Sequence, residues 1–166
     1  MGRRRKIKVE KDLNDLQKNI TLLLEDTREV LAAGVYDGAG IVADAYKDEI
    51  LNIPIDNRWF VPEGQLKTGL STRQRAGLYK GTGIAPFKYD DGGVNTKIGV
   101  DGYNTVETDW YPQGQPNSLV ARGLVNGTYF LQRYDYVDKA KRRVSAECER
   151  AMSEKVKKEV KKRIKK

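Results

Sequence analysis

Histidine, the commonest general base and transition-metal ligand in proteins, is absent from this 166-residue chain. Most hydrolase and metalloenzyme designs therefore lack their usual parts. Three remaining stretches hold residue types that do chemistry elsewhere. Gly81-Thr82-Gly83 has glycines suited to cradling phosphate, but the third glycine of the fingerprint is missing, and a strand pattern follows where a helix should open. Asp90-Asp91 offers two carboxylates to a hard cation, yet it runs into Gly92-Gly93, and aspartate in a turn serves local hydrogen bonds. Cys148, the single cysteine, has no internal disulfide partner and stands in a helical pattern that reads it as a small, reduced core residue. No nucleophile, base and orienting group form a set. The sequence reads as non-enzymatic, with no catalytic residue, cofactor or metal site assigned.

Charge is the next feature that could act on a partner. The net charge of +8 is unevenly spread: residues 1–11 hold six basic residues against one acidic, and residues 139–166 hold thirteen against four, which leaves an acidic middle. Basic ends on an acidic body suit arms that reach for DNA, for an acidic lipid surface, or for the acidic flank of a neighbouring copy. No apolar run approaches the roughly 20 residues of a membrane span, so no membrane partner is expected. The start, Met1-Gly2-Arg3, lacks an apolar signal core, and Lys6 stands where a myristoylation motif needs Ser or Thr. A place inside a cell, at least at synthesis, is the expectation.

The elements that must position any such surface are legible from periodicity. Glu25–Leu51 contains no proline, and Val30, Leu31, Gly34, Val35, Gly38, Ile41, Val42, Ala45 and Tyr46 recur at helical spacing. This is the expected spine. Its small residues, Gly34 and Gly38 above all, cost helix propensity and imply that something lies close: the backbone of a sheet, or a neighbouring subunit. Residues 1–11 read as a flexible basic arm, and Asp12 as the cap of a short first helix carrying Leu13, Leu16, Ile20 and Leu23 or Leu24. Asp26 or Thr27 would then restart the chain as the long helix. Pro54 to Gly64 is a loop in which Trp59 and Phe60 should plug the edge of the core. Ser71 or Thr72 caps a short helix, and residues 84–100 alternate as a β-hairpin with one buried face. In Trp110–Thr128, Pro112, Gly114 and Pro116 stiffen a loop. Asn117 or Ser118 can cap the helix that follows, and Gly127 stops it. Val144, Cys148, Met152, Val156, Val160 and Ile164 repeat every four residues, which turns their stripe by roughly 200° along the last helix. Residues to about Met152 should pack on the domain, while Val156 to Lys166 fray or wrap onto another subunit. The whole is α+β: a small, mostly antiparallel sheet on a long helix in one domain over 12–152, with a basic helical extension at 153–166.

The block WYPQGQPNSLVARGLVNGT (110–128), together with Gly83-Ile84-Ala85-Pro86, Lys97–Tyr103 and the passage from Tyr129 to Ala140, resembles a family of tail components of long-tailed double-stranded-DNA bacteriophages. These are minor tail, tail-completion or neck proteins of the head–tail junction. The resemblance covers about Leu13 to Met152. It implies a structural subunit of a phage or prophage that assembles with itself as a ring, contacts other neck or tail proteins, and resides in the virion after assembly in the host bacterial cytoplasm. Candidate assembly contacts are Gly34, Gly38, Tyr111, Gln113, Gln115, Arg122, Val156, Val160 and Ile164. The alternative is a small basic nucleic-acid-binding protein that uses both arms as phosphate contacts. A neck subunit could also lie near the DNA.

Overall fold

The computed structural model describes the backbone of residues 2–90 and 93–164 and the side chains of Gln17, Thr21, 26–90 and 93–163. Helix α1 (Gly2–Leu51) runs for 50 residues without interruption. The arm read at 1–11 is thus helical from Gly2, and the expected breaks at Asp12 and at Asp26 or Thr27 do not occur. No proline comes before Pro54, and residues that cap well at a terminus cost an interior helix position only about 0.7 kcal/mol or less each. Thr21 Oγ1 even donates back to the carbonyl of Gln17 at 3.0 Å, a bond that keeps its hydroxyl satisfied inside the helix.

Helix α4 (Tyr136–Ile164) lies antiparallel along the second half of α1. Arg143 reaches Asp48 at 3.0 Å and Glu49 at 3.2 Å, Lys155 reaches Asp37 at 3.5 Å, and Arg163 reaches Glu29 at 3.1 Å. The small face of α1 admits this partner. A Cβ built on Gly34 would stand 2.7 Å from Val156 Cγ2 and 3.2 Å from the Met152 carbonyl, and one on Gly38 would stand 2.5 Å from Met152 Cγ. The close neighbour is therefore a helix of the same chain, in place of the sheet or second subunit expected. The rest of the last helix is corrected with it, since Val156 packs on Gly34 and α4 stays on α1 to Arg163. The predicted rotation of its apolar stripe is visible all the same: Val144 is 7% exposed and Val160 is 40% exposed.

The core gathers at the C-terminal end of α1. Tyr46, Ile50 and Ile53 meet Leu78 of α2 (Thr72–Gly81), Val120 and Leu124 of α3 (Asn117–Asn126), and Tyr136, Ala140 and Val144 of α4. Tyr46 and Tyr136 stack edge to face with ring centres 6.0 Å apart, and burial pushes the Tyr136 phenol up to about 12. Ser71 caps α2 through a reciprocal capping box with Gln74, at 3.2 and 3.1 Å. Asn117 does not cap α3. It is buried, and its Nδ2 donates to the Asp101 carbonyl at 2.9 Å, so it ties the preceding loop to the helix instead. Gly127, at φ 75°, ends α3 as expected.

Four three-residue strands, β1 (Thr82–Ile84), β2 (Lys88–Asp90), β3 (Gly93–Asn95) and β4 (Ile98–Val100), form one antiparallel hairpin in two pieces. Lys88 pairs with Asn95, and Thr82 pairs with Val100. Between the pieces Ala85 N donates to the Lys97 carbonyl at 2.8 Å, and Pro86, having no N–H, interrupts the ladder. Residues 94, 96, 98 and 100 are half-buried while 95, 97 and 99 are exposed, which is the predicted alternation. The architecture is α+β, with a small antiparallel sheet, a long N-terminal helix and a C-terminal helix.

Gly34→Leu should destabilise the protein by about 1–3 kcal/mol through overpacking, because stiff Val156 and a backbone carbonyl face it. Gly38→Ala should also destabilise, though by less than Gly34→Leu, because Met152 and Cys148 must both shift to admit the methyl while alanine regains up to about 1 kcal/mol of helix propensity. Thermal unfolding followed by circular dichroism checks both; equal melting curves for Gly34→Leu and the wild type would contradict the close seam.

Candidate assembly surface

The loop between α1 and α2 is built around one carboxylate. Asp56 accepts from Arg58 Nη2 at 2.6 Å, Arg58 Nε at 2.9 Å, Arg58 N at 3.2 Å and Thr68 N at 3.1 Å. Arg58 Nη2 also donates to the Leu66 carbonyl at 3.2 Å, and Asp56 N donates to the Leu70 carbonyl at 2.8 Å. Both ends of the loop are thereby clamped. The hydrogen bonds from Arg58 hold the Asp56 carboxyl well below the usual carboxylate range. What the clamp presents is Trp59 and Phe60, 84% and 74% exposed. These two aromatics do not plug the core edge as the sequence reading expected, because the clamp turns the loop tip outward.

A second loop is strapped beside the first. Lys67 N donates to the Phe130 carbonyl at 2.8 Å and Gln132 N donates to the Lys67 carbonyl at 2.9 Å. This loop shows Tyr129, 91% exposed, with Phe130 edge-on to it at 4.9 Å between ring centres. Exposed aromatic groups of this size on two loops bonded to each other mark an interaction surface more often than chance placement does.

The third loop, 101–116, folds back on itself. Asn104 N donates to the Gln115 carbonyl at 3.0 Å, Gln115 N to the Val106 carbonyl at 3.0 Å, and Thr108 and Tyr111 exchange bonds of 3.1 and 2.9 Å. Asp109 and Trp110 form the tip. The return strand needs Gly114, at φ 107°, where a Cβ would fall 2.0 Å from the Asn104 carbonyl oxygen. Gln115 then accepts from Gln74 Nε2 at 2.8 Å, which fixes the base of the loop to α2. Between these loops, α2 and α3 lies a cavity of about 380 Å³ with an apolar floor of Leu70, Leu119, Val120 and Leu131 and with Lys67 and Arg122 among its walls.

Two of the sequence-derived contacts, Gln115 and Arg122, meet at this cavity. Tyr111 is half-buried in the third loop and Gln113 is exposed near its tip. Gly34 and Gly38 are buried beneath α4 and Val156 covers Gly34, so these three belong to an internal seam, on a different part of the fold. Val160 is exposed on α4, and the Ile164 side chain lies outside the described residues. Trp59, Phe60, Lys67, Trp110 and Tyr129 were missed. Two consecutive aromatics between Pro54 and Pro62 were a usable signal, since adjacent side chains in an extended loop leave on opposite sides and cannot both enter one core edge.

The chemically suggestive motifs are used locally. Thr82 Oγ1 is buried and donates to the Leu78 carbonyl at 2.8 Å, and Asp90 accepts from Asn95 Nδ2 at 2.5 Å, while Asp91 is outside the described residues. Cys148 Sγ donates to the Gly38 carbonyl at 3.4 Å, with its thiol pushed up by burial. Among the described residues no group of three or more His, Cys, Asp or Glu could hold a metal ion, and no helix is long and apolar enough to cross a membrane. No protein-family model, curated protein or solved structure matches the chain.

Because the folded Asp56 carboxyl titrates below its ordinary value of 3.8, its contribution is complete above that pH and is lost as the pH falls from there toward the folded value. Asp56→Ala should remove it at neutral pH. Trypsin cleavage after Arg58 or Lys67 should then speed up by roughly an order of magnitude, as local opening becomes easier. An unchanged cleavage rate would show that the clamp does not hold the loop.

Proposed function

We propose that this protein is a non-enzymatic structural subunit of a long-tailed double-stranded-DNA phage or prophage. In this reading it assembles with itself as a ring at the head–tail junction and meets other neck or tail proteins there. The observation that carries the reading is the set of aromatic side chains held in solvent by hydrogen-bonded loops. A free-standing domain gains nothing from exposing Trp59, Phe60, Trp110 and Tyr129, whereas a subunit buries them on assembly. The resemblance supports the same surface. Its most individual block, Trp110–Thr128, runs from the tip of the third loop through helix α3, and so supplies both an exposed tip residue and a wall of the cavity.

One observation favours the nucleic-acid reading as a second function of the same subunit. Lys157, Lys158 and Lys161 stand exposed on the outer face of α4 and make no ion pair among the described residues. Such a face suits phosphate neighbours without sequence readout.

Light scattering across a wide concentration range at near-physiological salt should give a defined multiple of 18.8 kDa. Trp59→Ser with Phe60→Ser should lower that mass or shift its concentration dependence by at least about tenfold, with the melting curve unchanged. A strict monomer at every concentration would contradict self-assembly. Duplex DNA binding at the same salt, lost on Lys157→Glu with Lys158→Glu, would establish the second reading, and no binding there would sink it.

A further inference from the structure

A ring of more than two copies needs two different patches on each subunit, one to give and one to receive, because a single self-complementary patch closes at a dimer. The chain carries such a pair. The giver is the tip of the 101–116 loop, where Trp110 is 89% exposed and stands beside the exposed acidic side chains of Asp109 and Glu107. The receiver is the cavity of about 380 Å³ beside α3, apolar at its floor and flanked by Lys67 and Arg122.

We infer that Trp110 of one copy inserts into this cavity on a second copy, with Asp109 and Glu107 facing Lys67 and Arg122. The inference rests on the self-assembly reading and specifies its contact. Size agrees, since the cavity is at the small end of the roughly 300–1,000 Å³ of ligand sites and suits one large aromatic side chain. Charge agrees as well. None of these four ionisable groups makes an ion pair among the described residues, so two cations at the receiver and two carboxylates at the giver are all available. The tip does not fill its own cavity, because the Gln115–Val106 and Thr108–Tyr111 bonds hold the loop extended from Gln115 at the cavity wall. The contact is heterologous, which lets it propagate around a ring.

The test is a mixing experiment on the full chain followed by light scattering. Trp110→Ala removes the giver, and Lys67→Glu with Arg122→Glu spoils the receiver; the altered side chains are exposed or half-buried, so melting curves should match the wild type. Each variant alone should assemble about 30-fold more weakly than the wild type. Mixed, they should form a one-to-one complex of twice 18.8 kDa, because each still owns the half the other lacks. Asp109→Lys with Glu107→Lys should behave as a giver-deficient variant whose assembly returns when Lys67→Glu and Arg122→Glu are added to the same chain. If the wild type assembles and both variants assemble equally well, the contact is wrong while self-assembly stands. If the variants are defective but fail to complement on mixing, the contact is not this pair. A wild type that never leaves the monomer overturns both.

Discussion

The contact on which the rest depends is the seam between α1 and α4 over Gly34 and Gly38. Each glycine costs an α-helix about 1 kcal/mol relative to alanine, and the return is a close approach in which Val156, Met152 and Cys148 fill the space a side chain would take. Three-residue strands bury too little to hold a domain together. The antiparallel helix pair is therefore the frame, and its C-terminal end on α1 organises Ile50, Leu78, Leu124 and Tyr136 into one core. Ion pairs from Arg143, Lys155 and Arg163 run along the seam. Exposed pairs contribute only about 0–1 kcal/mol each, so their effect is to fix register more than to stabilise.

Those pairs also explain part of the charge partition. The basic C-terminal segment was read as an arm for DNA, an acidic lipid surface or the acidic flank of another copy, yet Asp37, Asp48, Glu49 and Glu29 of α1 meet α4 within one chain. Among the described residues, the cations that these pairs leave free for partners include the outer lysines of α4, and Lys67 and Arg122 beside the cavity. Function in this account sits on the loops, and the frame and core hold those loops still.

Much of this was legible in the sequence, for identifiable reasons. Helical period and small residues located the frame, alternation located the hairpin, and Ser71 and Gly127 marked helix ends, because these signals act within a few residues. The partner of the glycine face was not legible, since a close helix and a close sheet ask the same thing of Gly34 and Gly38. Asp12 and Asp26 misled because a capping residue is also tolerated inside a helix. The aromatic surface was missed for a different reason. Whether Trp59 points inward depends on the Asp56–Arg58–Thr68 clamp, and that clamp closes a loop whose ends are twelve residues apart. Gln115 and Arg122, which both line the cavity, were singled out because a stiff loop before a short helix is a local pattern. The cavity they share with Lys67 and Leu131 joins segments far apart in sequence.

The central claim is that the helix seam is internal while the loop surface is where copies meet. Hydrogen–deuterium exchange measured by mass spectrometry on dilute and concentrated protein tests it directly. The account predicts new protection on concentration in residues 58–61 and 105–113 and in the cavity segments 67–70 and 119–131, with the α1–α4 seam equally protected in both samples. New protection confined to the seam, with the loops unchanged, would contradict it.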